Sequence, residues 1–354
     1  MLLIDGSYGE GGGQILRTSV ALSSLYKVPI RVINIRKNRT PSGLKAQHLH
    51  AIKLLSKITN AKTRGLYVKS TEIEFVPERI KGGKYFENIG TAGSITLLLQ
   101  AVILPILFAD DKVSIKITGG TDVRFSPSLD YFRYVILPYL EKFANIDLKL
   151  RRRGFYPKGG GEIIIKISPR YSVDNYESMD KFVETIRNDV EPYDLLDNNI
   201  NEIYVYSVAS TSIKVREVAE RMLESAINNL EDLDVKIYKN IEYVDTLSPG
   251  AVITIVAKSD NRIFGADAVG EKGKPAELVG MKAAMKLRQV IESKVSIDEH
   301  LADNLVPYLG LVGGRYTTYA LTGHLETNIW VCEKFFGKIY KVKKNTNIFI
   351  STII

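Results

Sequence analysis

The sequence predicts an α+β protein in which strand–helix units recur and a smaller α+β segment interrupts them. Three observations carry this. The chain has 354 residues, 45% hydrophobic and 25% charged, enough for two domains with well-buried cores. Its first part runs twice through the order strand, helix, strand, helix, two strands. The stretch from about residue 171 to 260 changes texture, becoming richer in Asn, Asp and Glu, and separates those two units from a third.

In chain order, apolar spacing predicts a helix over 15–26, a strand over 30–35, a helix over 44–57 and one or two strands within 61–75. The order repeats with a helix over 95–108 opened by Thr91-Ala-Gly-Ser94, a strand over 113–118 and a helix over 126–143. A strand over 146–152 then pairs with one over 161–167. The interrupting segment predicts strands over 202–208, 235–243 and 250–257 around a helix over 215–230. The third unit is expected to open at Lys274-Pro-Ala-Glu277 with a helix reaching about residue 293, then a helix over 298–308 and strands over 316–321 and 347–354. The expected division is 1–178 for two repeats, 179–273 for the insert and 274–354 for the third repeat.

Composition bounds the partners. Lys and Arg number 48 against 40 Asp and Glu, giving +8, a balance that favours anionic ligands such as nucleotides or nucleic acid. The single cysteine, Cys332, excludes an internal disulfide or a cysteine metal cluster, and its setting Ile-Trp-Val-Cys-Glu predicts a core position. Met-Leu-Leu-Ile runs into Asp5 without a charged leader, and the apolar stretch 95–109 is too short to span a bilayer. A cytoplasmic protein is expected.

The segment Asp5-Gly-Ser-Tyr-Gly-Glu-Gly-Gly-Gly-Gln-Ile-Leu-Arg17 places five glycines between two carboxylates and a guanidinium, just before a helix. Glycines let backbone N–H groups approach a phosphate, and the helix amino terminus adds positive potential. Glu10 repels phosphate unless a divalent cation lies between them, so this carboxylate marks a metal position. No Gly-x-x-x-x-Gly-Lys-Ser/Thr motif and no Lys-x-Asp-Gly motif occurs, and Gly9-Glu-Gly-Gly-Gly is only a weak dinucleotide fingerprint.

Three cations, Arg36, Lys37 and Arg39, precede the turn Pro41-Ser-Gly43. Alone they read equally as a solvated loop or a phosphate site; beside Arg17 and the glycines the anion site is preferred. His48 and His50 project from a helix in nearly opposite directions, so they cannot share a metal and at most one faces a ligand. His324, in Ala320-Leu-Thr-Gly-His-Leu-Glu-Thr-Asn328, sits between a strand and a helix where Gly323 gives backbone clearance. It is either a structural turn residue or a nucleophile toward an α-phosphorus, in which case Arg17, Arg39 and a metal at Glu10 would neutralise the phosphates.

Together, Asp5 to Arg17, Arg36 and Arg39 followed by Gly43-Leu-x-x-Gln-His48, Gly119-Gly-Thr-Asp122, and His324-Leu-x-Thr-Asn328 resemble the RNA 3′-terminal phosphate cyclase family over the whole chain. The resemblance implies three repeated units, each a four-stranded sheet with two helices, plus a smaller inserted α+β domain. It implies a ligase that uses ATP and Mg²⁺ or Mn²⁺ to convert an RNA 3′-phosphate into a 2′,3′-cyclic phosphodiester. The implied route is transfer of AMP from ATP to His324 with loss of pyrophosphate, its passage to the RNA phosphate, and attack by the 2′-hydroxyl with loss of AMP.

By the same resemblance, Arg17 and Arg39 join His324 in catalysis, with Asp303 as an acidic residue that either orients the imidazole or binds ribose. Glu10, Gln14, Arg36, Gln47 and His48 are implied around the phosphates and metal, which selects His48 over His50. Gln100, Pro127, Tyr131, His300 and Asn304 are implied around the nucleotide. His300 stands where the family places a tyrosine against adenine, so base stacking would fall to an imidazole. A homo-oligomer is compatible with this reading. A non-catalytic cyclase-like RNA protein would lack His324, an enolpyruvyl transferase of related fold would not need it, and a plain RNA-binding module would not need Glu10.

Overall fold

A computed structural model describes residues 1–197 and 199–353. The first unit comprises β1 (Leu2–Asp5), α1 (Gly13–Tyr26), β2 (Ile30–Ile33), α2 (Ala46–Thr59), β3 (Lys62–Arg64) and β4 (Ile73–Val76). Its sheet has the order β1-β2-β4-β3, the first pair parallel and the others antiparallel. The second unit repeats this with β5 (Gly83–Asn88), α3 (Ile95–Ile106), β6 (Val113–Gly119), α4 (Leu129–Tyr131), a π-helical turn (Phe132–Ile136), α5 (Leu137–Leu140), β7 (Ala144–Arg152) and β8 (Gly161–Pro169). Its order is β5-β6-β8-β7. The helix expected over 126–143 is thus broken. Residues 126–127 remain loop, and the Leu137 N–H donates to the Phe132 carbonyl five residues back, next to Pro138, which has no N–H to give.

After α6 (Met179–Asp189) comes β9 (Tyr193–Leu195), a strand absent from the sequence reading. The smaller sheet then follows: β10 (Glu202–Ser210), α7 (Val218–Asn228), β11 (Lys236–Val244), β12 (Ala251–Lys258), β13 (Ile263–Val269) and α8 (Ala276–Glu292), in the order β11-β10-β12-β13. Last come α9 (Glu299–Val312), β14 (Gly314–Thr318), α10 (Gly323–Phe336), β15 (Tyr340–Lys344) and β16 (Ile348–Thr352). Their sheet is β15-β16-β14-β9, with β9 parallel to β14. Taken as β9, α9, β14, α10, β15, β16, the third unit has the order and strand directions of the other two.

Two boundaries therefore differ from the expected 179–273 and 274–354. β9 lies inside the expected insert but completes the third sheet, and α8 lies inside the expected third repeat but packs on α7, β12 and β13. The insert is nested between the first strand and first helix of the third unit. Three residues of β9 offer no visible alternation, and the amphipathic period of α8 does not say which sheet it covers.

The helices of the three units pack on one another, α1 touching α2, α3 and α10, and α9 touching α10. This makes α1 central: twelve consecutive residues, Gln14–Leu25, are buried, polar ones included. The strands show the alternation of half-covered sheets, as in β6, where Val113, Ile115 and Ile117 are buried and Lys116 is exposed. Among the described residues no helix is long and apolar enough to cross a membrane.

Candidate active site

The amino termini of α1, α9 and α10 border one cavity of about 530 Å³. Its opposite wall comes from Asp267–Val269 on β13, Lys282 and Lys286 on α8, and the loop 123–127. The cavity therefore lies where the insert meets the repeated units.

The glycine-rich loop joins β1 to α1. Asp5 Oδ1 accepts from Ser7 N–H at 2.9 Å, from the Ser7 hydroxyl at 2.7 Å and from Asn34 Nδ2 at 3.1 Å, fixing the start of the loop. Gly9 and Gly11 have φ of 54° and 57°, the left-handed region that side chains disfavour. Glu10 is thereby turned toward α10, where a Cβ on Gly323 would meet its carboxylate at 2.3 Å. The glycine before His324 thus makes room for Glu10.

Glu10 Oε2 lies 2.9 Å from Arg39 Nη2 and 3.4 Å from His324 Nε2. His324 is the second residue of α10, whose first turn is capped by the Thr322 hydroxyl accepting from Leu325 N–H at 3.1 Å. Burial holds the His324 imidazole below its ordinary pKa; Glu10 opposes this, while Arg17, His300 and Arg39 act with burial. The balance favours the neutral ring, the form a nitrogen nucleophile requires.

Arg17, one turn into α1, is buried, and burial lowers its pKa to about 10 against the pull of Asp303. Its Nη2 donates to Gln14 Oε1, while its buried Nε has no hydrogen-bond partner among the described residues. Gln14 Nε2 donates to Asn328 Oδ1 at 3.0 Å, and Asn328 Nδ2 donates to the Asp303 carbonyl at 2.7 Å, linking α1, α10 and α9. Burial pushes the Asp303 carboxyl up to about 7, with His300 and Arg17 opposing.

His48 and His50 separate as their spacing predicts. Lys45 N–H donates to His48 Nδ1 at 3.2 Å, so the proton of the neutral ring sits on Nε2, directed at Gly13, where a Cβ would meet it at 2.2 Å. Burial lowers its pKa to about 3, with Arg17, Arg36 and Lys45 adding. His48 is thus a fixed neutral donor at the amino terminus of α1. His50 faces away, 2.6 Å from Glu87. Gln47 Oε1 accepts from Ser94 N–H at 3.4 Å, and Arg36 Nη1 donates to the Pro41 and Gly43 carbonyls at 2.8 and 3.0 Å. Arg36 therefore ties together the loop that carries Arg39, and it is absent from the described lining of the cavity.

At the far side, Gln100, Pro127, His300 and Asn304 line the cavity. Among the described residues the buried Gln100 Oε1 has no hydrogen-bond partner, which leaves an acceptor facing the cavity side of α3. Tyr131 is fully buried behind this wall; its hydroxyl donates to Asp298 Oδ1 at 2.5 Å and its ring meets His300 edge-on with centroids 6.2 Å apart. It reaches the cavity only through His300.

The sequence reading missed Asp267, Lys282 and Lys286. The i, i+4 spacing of the two lysines was the available signal. It also gave no role to Asp122. This buried carboxylate accepts from Arg153 Nη1 at 3.1 Å, and Arg153 Nη2 reaches Asp130 at 2.6 Å, so the Gly119–Asp122 motif anchors a loop. Among the described residues no group of three or more His, Cys, Asp or Glu could hold a metal. Glu10 is the carboxylate that the glycine-rich loop brings to the cavity, a single donor suited to a cation shared with a ligand's phosphates rather than caged by protein.

A family model described as RNA 3′-terminal phosphate cyclase matches residues 8–342. The chain is 43% identical over 345 residues to a protein of Pyrococcus furiosus named RNA 3′-terminal phosphate cyclase, covering 97% of this chain and 95% of that one. Proteins of the same name from Methanopyrus kandleri and Archaeoglobus fulgidus are 43% and 40% identical, over 95% and 98% of this chain and 93% and 98% of their own.

Proposed function

The chain belongs to the RNA 3′-terminal phosphate cyclase family, and from that premise we propose that it closes RNA 3′-phosphates into 2′,3′-cyclic phosphodiesters with ATP, through AMP carried on His324. The observation that supports this reading is the meeting of a neutral imidazole, Glu10, Arg39 and Arg17 at the amino termini of α1 and α10.

In the first step, the His324 Nε2 lone pair forms a bond to the α-phosphorus and the bond to the β-phosphate oxygen breaks, releasing pyrophosphate. Arg39 and Arg17 neutralise the developing charge, while the His48 Nε2–H and the α1 amino terminus donate to the phosphates. An oxygen of the RNA 3′-phosphate then takes the AMP, breaking the phosphorus–nitrogen bond and returning the lone pair to the imidazole. The adjacent 2′-hydroxyl loses its proton, attacks the activated phosphorus and expels AMP; this last step is intramolecular and needs mainly positioning. A divalent cation, Mg²⁺ or Mn²⁺, held by Glu10 would supply charge neutralisation at the leaving phosphates. Gln100 Oε1 accepts from the base amino group, His300 and Pro127 flank the base, and Asn304 and Asp303 face the ribose. Arg36, Gln47 and Tyr131 position these groups from behind. We place the protein in the cytoplasm, where ATP and RNA ends coexist.

Incubation with α-labelled ATP and Mg²⁺ or Mn²⁺ is expected to label the protein through an acid-labile, alkali-stable bond, and His324→Ala is expected to abolish the label. Label retained in that variant overturns the nucleophile assignment.

A further inference from the structure

The loop between β6 and α4 is held at both ends, and at its tip the Ser126 hydroxyl donates to the Val123 carbonyl at 2.9 Å. Gly120 N–H donates to the Gly93 carbonyl at 2.8 Å and Thr121 N–H to the Gly154 carbonyl at 2.9 Å. Asp122 Oδ1 accepts from Leu129 N–H at 3.1 Å across the loop, while its Oδ2 takes Arg153. Between these anchors Phe125 stands 92% exposed at the cavity rim with φ of 64°. A bulky side chain in the left-handed region costs about 1–2 kcal/mol, and an exposed ring recovers nothing by burial. The ring itself therefore adds little to the stability of the fold. What the conformation does is display an aromatic face.

Its surroundings select the occupant. The Arg124 guanidinium lies 5.0 Å from the ring centroid and 3.1 Å from a Glu271 carboxylate oxygen, and Lys282 and Lys286 line the same cavity together with Asp267 and Glu271. An open aromatic face with an arginine against it and two lysines in the same cavity is a combination that holds single-stranded nucleic acid, the ring taking a base and the lysines the backbone. A protein partner would be met by a wider apolar patch; of the loop residues beside Phe125, Arg124 and Ser126 are polar, and the apolar Val123 and Pro127 are buried.

We infer that Phe125, backed by Arg124, is the stacking platform for a nucleobase within the last two nucleotides of the RNA strand whose 3′-phosphate enters the cavity. The inference rests on the cyclase reading for the identity of the strand. Because every base has a π face, the contact is tolerant of sequence and sets strand affinity and 3′-end placement.

The test is fluorescence anisotropy with a labelled single-stranded RNA bearing a 3′-phosphate, which reads binding whether or not the protein turns over. Phe125→Ala is expected to weaken binding about tenfold, with Phe125→Trp restoring it and the salt dependence unchanged, because no phosphate contact is lost. Labelling by ATP is measured in the same variants, because the ring borders the cavity that takes the nucleotide, and is expected to fall less than the RNA affinity. Wild-type RNA affinity in Phe125→Ala overturns the inference, as does a weakened ATP reaction with unchanged RNA affinity, which would assign the ring to the adenine. Failure of the wild-type protein to take label from ATP would count against the histidyl route and leave the anisotropy result to stand by itself.

Discussion

Asp303 lies under opposed influences: burial favours its protonated form, while the buried Arg17 favours the carboxylate. With a folded pKa of about 7 against roughly 3.9 in an unfolded chain, the folded protein keeps a proton that the unfolded chain releases. Stability from this group is present below pH 3.9 and is lost as pH rises to about 7. His48 has the opposite sign: its folded pKa of about 3 lies below the unfolded value near 6.5, so stability is lost as pH falls through that window. Asp303→Asn isolates the first effect. In thermal melts the variant is expected to gain on wild type as pH rises from 4 to 7, at up to about 1.4 kcal/mol per pH unit, and to hold that lead above 7. Parallel curves would remove the buried-carboxyl assignment. These shifts could not be read from residue types, since both come from packing; that His48 and His50 face apart could, because helical pitch alone decides it.

At the scale of elements, two helix amino termini meet through small residues. The amino-terminal turn of α10 approaches the glycine-rich loop because Gly323 has no Cβ to meet Glu10. Gly323 is in helical backbone, so Gly323→Ala is expected to leave the melting temperature unchanged or slightly raised while displacing the Glu10 carboxylate. The rate of labelling by ATP should fall at least tenfold, as for a lost charge-stabilising group; an unchanged rate would remove Glu10 from the reaction. Most elements were legible because their periods are strong: α1, α3, β6, β8 and α9 fall close to their expected places. β9 was hidden by its three-residue length. The 126–143 run read as one helix because its apolar spacing continues through the π turn.

For the molecule as a whole, the insert closes one wall of the cavity, and Asp298 is one of the points at which it is fastened. Its carboxylate accepts from Gly265 N–H of β13 at 3.0 Å, from the Tyr131 hydroxyl at 2.5 Å, and from His300 and Leu301 N–H at the start of α9, both at 3.0 Å. Asp298→Ala orphans donors from three parts of the fold and is expected to cost about 3 kcal/mol or more, read as a lower urea midpoint, whereas Asp298→Asn should retain part of it. Equal midpoints for wild type and Asp298→Ala would show that the insert is held elsewhere. The chain's order of glycines, cations and histidines determined by itself a glycine-rich loop ahead of a helix, cations near it in the chain and a late histidine after a glycine, because these depend on residue chemistry and local spacing. Only the tertiary structure decided that Glu10, Arg39 and His324 meet, that α8 belongs with the insert, and that Asp122 anchors a loop that displays Phe125. Each of those depends on contacts between residues far apart in the chain, which no local period encodes.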